Sequence, residues 1–209
     1  MTKKHRMYTL YEDDLPNGME FGDEVAIDTE ALGLNNFRDR LCMVQIYFGT
    51  GEVHLVHFGG NNKYKSPNLV RLLTDDSILK IFHYARFDLA ILQKTFNIEI
   101  NNIYCTKIAS KIARTYSDAH GLKVLIKEFM NIEISKKEQS SYWGGEINDS
   151  QLKYASNDVL YLHRIKDRLN AILENENRTE LVKECFKFLP TRVKLDLNGW
   201  GDIDIFSHQ

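Results

Sequence analysis

Proline is scarce in this sequence: Pro16, Pro67 and Pro190 are its only three in 209 residues. There is also no Gly/Ser tract, low-complexity segment or internal repeat to mark a linker. One domain is therefore expected, long enough to bury a core of its own. Long apolar runs are missing too. The most extended, Val53 to Phe58 and Ile78 to Phe82, are strand-sized, far short of the roughly 20 residues of a membrane span. The basic start, Met1 to Arg6, gives way to an acidic stretch from Tyr8 to Asp14 with no apolar core between them, which argues against a secretory signal. Cys42, Cys105 and Cys185 are odd in number, far apart and without a C-x-x-C pair. That suits buried thiols in a reducing cytosol better than a disulfide scaffold or a zinc site. Neither a Walker loop nor a Rossmann glycine pattern is present. Basic excess is absent as well: 27 Lys and Arg stand against 29 Asp and Glu. Proteins that track long nucleic acid carry a basic footprint. Contact with nucleic acid should here be local and small, or assembled from several subunits.

The segments that are present alternate in type. Asp23 to Asp28 reads as a strand ending in acid, and Leu41 to Phe48 and Glu52 to Phe58 as a hairpin around Gly49-Thr50-Gly51. Pro67 suits the first position of a helix through Leu73. Ile78 to His83 reads as a buried strand, Phe87 to Phe96 as an amphipathic helix and Ile103 to Cys105 as a short strand. Thr106 is expected to cap a helix through Arg114. Helices over Gly121 to Met130, Asp149 to Glu174 and Arg178 to Phe188 follow. This order predicts an α/β domain with a mixed sheet, antiparallel on one side and parallel on the other.

Three short blocks carry the chemistry: Ala26-Ile27-Asp28-Thr29-Glu30, His83-Tyr84-Ala85-Arg86-Phe87-Asp88 and Tyr154-Ala155-Ser156-Asn157-Asp158. Asp28 and Glu30 are two apart on a strand and share a face. Asp88 opens a helix after a buried strand, and Tyr154 and Asp158 are i and i+4 on one helix face. Taken singly each has a plain structural explanation, a solvated strand end, a helix-dipole acid or a surface pair. Jointly, four carboxylates that converge on one sheet edge suit hard cations such as Mg2+, which take oxygen ligands and keep positions open for phosphate and water. Two such ions can serve phosphodiester cleavage, with the Tyr154 phenol beside the attacking water.

On these blocks the chain resembles the DEDD 3′–5′ exonucleases with a tyrosine in the third motif, and among them the RNase D group. Asp28-Thr29-Glu30, Ala85-Arg86-Phe87-Asp88 and Tyr154 to Asp158 look like the three motifs. Gly121-Leu122-Lys123 and Ser135 to Trp143 are similar to the stretch between the second and third, with Tyr142 where the family has an Asp before the Trp. The resemblance implies an RNase H-like mixed five-stranded sheet flanked by helices, and two divalent metal ions, Mg2+ or Mn2+. It further implies metal ligation by Asp28, Glu30, Asp88 and Asp158, with Asp28 bridging and Tyr154 positioning the water. Leu34 matches an apolar position wedged between the last two bases; a core leucine at a strand exit explains it equally well. Leu32, His83, Lys136, Gln139 and Ser140 complete the expected substrate contacts, the last three for a 5′ phosphate. For His83 the competing reading is a buried, hydrogen-bonded histidine, and for the polar loop a solvated surface.

The segment after Phe188 is expected to be too short for the helical nucleic-acid-binding domains of RNase D. Its sequence, and the run Cys105 to Lys111, resemble the single-domain alphaproteobacterial nano-RNases, which implies short single-stranded RNA, dinucleotides above all, as substrate and a homo-oligomer, an octameric ring in that group. Residues 1–190 are thus expected to form the exonuclease domain and residues 191–209 an apolar tail that docks at a subunit interface. The rival readings are trimming of tRNA or other structured RNA 3′ ends, and an RNA-binding protein that keeps the fold without catalysis. His54 and His57, three apart on a strand, face opposite sides and are expected to be structural.

Overall fold

The computed structural model describes residues 7–60, 64–134, 138 and 140–208. Six strands form one mixed sheet, β1 (Tyr8–Glu12), β2 (Glu24–Ala31), β3 (Leu41–Tyr47), β4 (Val53–His57), β5 (Leu79–Phe82) and β6 (Ile103–Cys105), in the order β1-β4-β3-β2-β5-β6. β3 runs antiparallel to β2 and β4, while β2, β5 and β6 run parallel and β1 lies parallel to β4. The expected five-stranded sheet therefore gains β1. Tyr-Thr-Leu-Tyr is strand-favouring, and the acids that follow it masked the signal. The added strand also accounts for the two histidines of β4: Tyr11 Oη and His54 Nδ1 are 3.0 Å apart, and His57 Nδ1 lies 3.3 Å from Glu12 Oε2.

The helices are α1 (Pro67–Thr74), α2 (Ala85–Phe96), α3 (Thr106–Ala113), α4 (Leu122–Met130), α5 (Asp149–Leu160), α6 (Leu162–Asn175) and α7 (Thr179–Leu195). The single helix expected over Asp149 to Glu174 breaks at Tyr161. Its two halves pack on different partners, α5 across β2, β3 and β4, and α6 against α3 and β5. Thr106 is the first residue of α3 and not its cap. Its hydroxyl instead donates to the Phe82 carbonyl, at 3.0 Å. α7 continues seven residues past Phe188 and runs through Pro190. A proline inside a helix removes a backbone hydrogen bond and costs about 3 kcal/mol. The stripe Val182, Phe186, Leu189 and Val193 is buried on this helix and offsets that cost by packing. Residues 191–195 thus belong to α7, and the boundary expected at 190 falls inside it. A single wide turn, Asp196–Trp200, follows, with Gly199 at φ 97°.

β2 and β5 are parallel neighbours, so the chain leaves both at the same edge of the sheet. Ligand sites in open α/β sheets form beyond the carboxyl ends of such strands. At this edge the β2–β3 ladder shifts register between Glu30 and Ala31, a bulge of the sort that re-aims side chains. The β5–α2 junction turns through Tyr84, held in the left-handed region at φ 69°. Across the edge lies α5, whose start is fixed by a capping box: Gln151 N donates to Asn148 Oδ1 at 3.0 Å and Asn148 N to Gln151 Oε1 at 3.1 Å.

Candidate active site

Carboxylate oxygens of Asp28, Glu30 and Asp158 all lie within 4.8 Å of one another. β2 supplies the first two from one face, and α5 lowers the third onto them. Asp88, in the first turn of α2, is 3% exposed and lies just outside that triad. The Thr29 hydroxyl donates to its Oδ1 at 2.7 Å. The tyrosine four residues before Asp158 shares its helix face, and its ring packs 6.2 Å from that of buried Trp143.

Four acids gathered in a desolvated place repel one another. Burial pushes the Asp28 carboxyl up to about 7. Burial, then the charges of Asp28, Asp158 and Asp88, push Glu30 up to about 10. Asp88 and Asp158 are raised well above the usual carboxylate range by burial and then by Asp28. No lysine or arginine among the described residues pairs with any of the four, and a cluster of this kind is stable in its ionised form only around cations. The donor set, all oxygen, fits a hard divalent ion. Burial, followed by the charges of Asp158, Glu30 and Asp28, also raises the Tyr154 phenol above its ordinary range, so its proton stays on at neutral pH.

The acids open into a cavity of about 680 Å³ lined by Leu32, Leu34, His83, Tyr84, Lys107, Lys123, Ser140, Ser141 and Trp143, among others. Leu34 is 87% exposed, so it is no core residue: it stands in solvent at the cavity wall. Leu32 is exposed but packs beside Gly144, where an added Cβ would meet Leu32 Cδ2 at 2.6 Å. His83 is hydrogen-bonded and partly buried, and it lines the cavity. Its Nδ1 is 2.9 Å from Thr106 Oγ1. Because the Thr106 hydroxyl spends its proton on Phe82 O, His83 Nδ1 must be the donor, which leaves Nε2 as an acceptor. Burial and then the Lys107 ammonium pull His83 down to about 3, so the ring is neutral. Ser140 is exposed on the cavity wall; Lys136 and Gln139 lie outside the described residues.

Several participants were not singled out from sequence. Thr29 is one, although its place between two acids on the opposite strand face was a signal. Tyr84 and Lys107, whose ammonium sits 4.3 Å over the Tyr84 ring centroid, are a contact between two elements that no local pattern reveals.

Residues 12–174 match the 3′–5′ exonuclease family. Among solved structures, Brucella melitensis NrnC bound to pGG is 50% identical, with TM-score 0.93 over 97% of this chain and 99% of that one. The same protein with bound Mg2+ is 48% identical, with TM-score 0.90 over 98% and 100%. Ribonuclease D of Gluconacetobacter diazotrophicus is 31% identical over 159 residues, 76% of this chain and 40% of that protein. The chain spans half or less of the length of the ribonuclease D relatives it matches. Among the described residues no helix is long and apolar enough to cross a membrane.

Proposed function

The chain belongs to the 3′–5′ exonuclease family, and from that premise we propose that it hydrolyses very short RNA, 5′-phosphorylated dinucleotides above all, to nucleoside 5′-monophosphates in the cytoplasm. The observation that carries the reading is the convergence of Asp28, Glu30 and Asp158 beside Tyr154 and Asp88, with no lysine or arginine among the described residues paired to them. Asp28, Glu30 and Asp158 would hold one divalent ion, and Asp28 with Asp88 a second, Mg2+ or Mn2+. When bound, such ions stabilise the attacking and leaving oxygens of an in-line displacement at phosphorus.

The chain's own residues do the rest. Tyr154, protonated and pinned between Trp143 and Asp158, orients the attacking water through its hydroxyl. Leu34, apolar and held out in solvent at the cavity wall, can wedge between two bases, and Leu32 extends that apolar edge. His83 presents a neutral acceptor for a sugar hydroxyl, with its tautomer fixed by Thr106. Ser140, with Lys136 and Gln139 close to it in sequence, is assigned to the 5′ phosphate. A short substrate is favoured by the modest cavity, by the balanced charge of the chain and by the likeness to a nuclease solved with pGG. A homo-oligomer is favoured by the exposed apolar side chains of Ile203, Ile205 and Phe206.

A time course on 5′-phosphorylated RNAs of two to seven nucleotides, with Mg2+ or Mn2+, tests this directly. Dinucleotides should turn over with the highest kcat/KM, because a third nucleotide must be accommodated outside the closed phosphate contacts. Equal rates across the series would favour 3′-end trimming of longer RNA instead. Binding without turnover under both metals would favour a non-catalytic RNA-binding protein.

A further inference from the structure

Gln45 sits in the middle of β3 with no solvent exposure. Among the described residues, neither its Oε1 nor its Nε2 has a hydrogen-bond partner. A primary amide carries two donors and an acceptor, and buried polar groups left wholly unpaired are rare enough to call for a cause. The register supplies one. Gln45 stands directly opposite Asp28 in the β2–β3 ladder and opposite Leu55 in the β3–β4 ladder. Directly opposed residues of an antiparallel pair project to the same face, with Cβ atoms about 4.5–5.5 Å apart. Gln45 therefore shares the sheet face of Asp28 and Glu30, beneath α5, which carries Tyr154 and Asp158. Asp28 has no side-chain hydrogen-bond partner among the described residues, and the backbone N–H of Thr29 pulls its carboxyl down against the effect of burial. An orphan donor and an under-satisfied acceptor thus occupy one rung of the sheet.

We propose that Gln45 is a positioning residue for Asp28, its amide N–H donating to one internal water that in turn donates to the ionised carboxylate, and so fixing the orientation in which Asp28 ligates a divalent cation. This rests on the metal-centre reading of Asp28. A carboxylate that bridges cations keeps lone pairs which only a second, fixed donor can direct, and such outer partners tune metal affinity. The amide suits the task where its isosteres do not. A glutamate would add a fifth negative charge to the cluster, and an apolar residue would fill the space without a donor.

The test uses the full chain with Gln45→Met, which keeps volume and removes the amide. Calorimetric Mg2+ affinity should fall by roughly 10–100-fold, and the Mg2+ concentration for half-maximal hydrolysis should rise by a similar factor. The metal-free Tm should hold or increase, because the orphaned polar atoms are gone. That last readout separates positioning from a plain structural role, in which Tm would fall and metal affinity would stay. Gln45→Asn withdraws the amide by one methylene and covers the case in which the methionine variant does not fold; it too should lose Mg2+ affinity. Mg2+ affinity within about twofold of wild type in the folded variant overturns the proposal. Asp28→Asn serves as the control. Wild-type Mg2+ binding by that protein would sink the metal centre itself, whereas lost binding there with normal binding by the Gln45 variants would sink this inference alone.

Discussion

Thr29 donates its hydroxyl proton to Asp88 across the junction of β2 and α2, at 2.7 Å. Its side chain leaves the strand on the side opposite Asp28 and Glu30. Three consecutive residues thus serve the site in two directions: two present carboxylates, and the one between them holds a third carboxylate from another element. Spacing alone makes this legible only once the partner helix is in place.

Thr29→Val keeps the shape and removes the donor, leaving a buried carboxylate short of a bond. A hydrogen bond to a charged group contributes about 1.5–3 kcal/mol, so kcat/KM should fall by roughly 10–100-fold. Thr29→Ser, which keeps the hydroxyl, should recover most of it. Steady-state kinetics on a dinucleotide decide the matter; equal loss in both variants would mean that the methyl group, not the hydrogen bond, is what counts.

Asp28→Asn and Asp158→Asn should each abolish hydrolysis, by on the order of 10³-fold or more, through lost charge stabilisation of the transition state. Neither should unfold the protein. Each removes one charge from a mutually repelling buried cluster, so the metal-free Tm at neutral pH should stay level or rise. Near wild-type turnover by either folded variant would rule out the site.

How far the sequence disclosed this arrangement depends on the range of the signal. The D-x-E spacing, the strand-to-helix step at Asp88 and the i, i+4 pair on α5 are local patterns, and they placed the acids on the right elements. Strand β1 escaped because Glu12, Asp13 and Asp14 diluted a short aromatic run. α7 escaped because Pro190 reads as a stop signal, while the buried stripe of Val182, Phe186, Leu189 and Val193 that overrides it gains its energy from tertiary packing. Gln45 and Thr29 acquire meaning only through cross-element partners, which no window of sequence contains.

Tyr154→Phe should leave ring packing on Trp143 intact and delete the hydroxyl that orients water. If that hydroxyl orients the attacking water as proposed, a fall in kcat of roughly 10²–10⁴ is expected, with Mg2+ affinity little changed. If the variant instead bound Mg2+ more weakly and matched wild-type kcat at saturating metal, the hydroxyl would belong to the metal site's structure and not to the chemical step.

The raised carboxyls fix the sign of a pH effect on stability. In the unfolded chain these groups ionise near about 4, whereas in the fold Asp28 is pushed up to about 7 and Glu30 to about 10. Between those limits the native state holds more protons than the unfolded state, so metal-free stability is full at low pH and falls as pH rises. His83, pulled down to about 3, acts in the opposite sense, but only below its unfolded value of about 6.5. Between pH 7 and 8.5 the carboxylates therefore dominate. Tm in chelator should fall across that window, and added Mg2+ should raise Tm more at pH 8.5 than at pH 7. An equal increment at both would contradict a cation that neutralises these acids.

The chain beyond α7 is tied to its own domain first. Asp196 receives Arg86 at 2.5 and 2.7 Å and Arg192 at 2.6 and 3.0 Å, and Arg86 also reaches the Gly201 carbonyl at 2.7 Å. Arg86 is two residues before Asp88 on α2, so this clamp leads straight to the acids. Past Gly201, Ile203, Ile205 and Phe206 are 45%, 43% and 79% exposed, with Phe206 resting on Phe188 at a ring separation of 5.9 Å. A monomer would leave this apolar end as a surface patch beside the active-site helix, and such a patch suits a neighbouring subunit. Deleting residues 202–209 spares the Asp196 clamp and the buried Val193, so the domain should fold. It should give smaller species in light scattering and a weaker preference for dinucleotides over longer RNA, the outcome expected of a tail through which a neighbouring subunit restricts entry to the cavity. A truncated protein with the full-length assembly and an unchanged length profile would show that the tail serves its own domain alone.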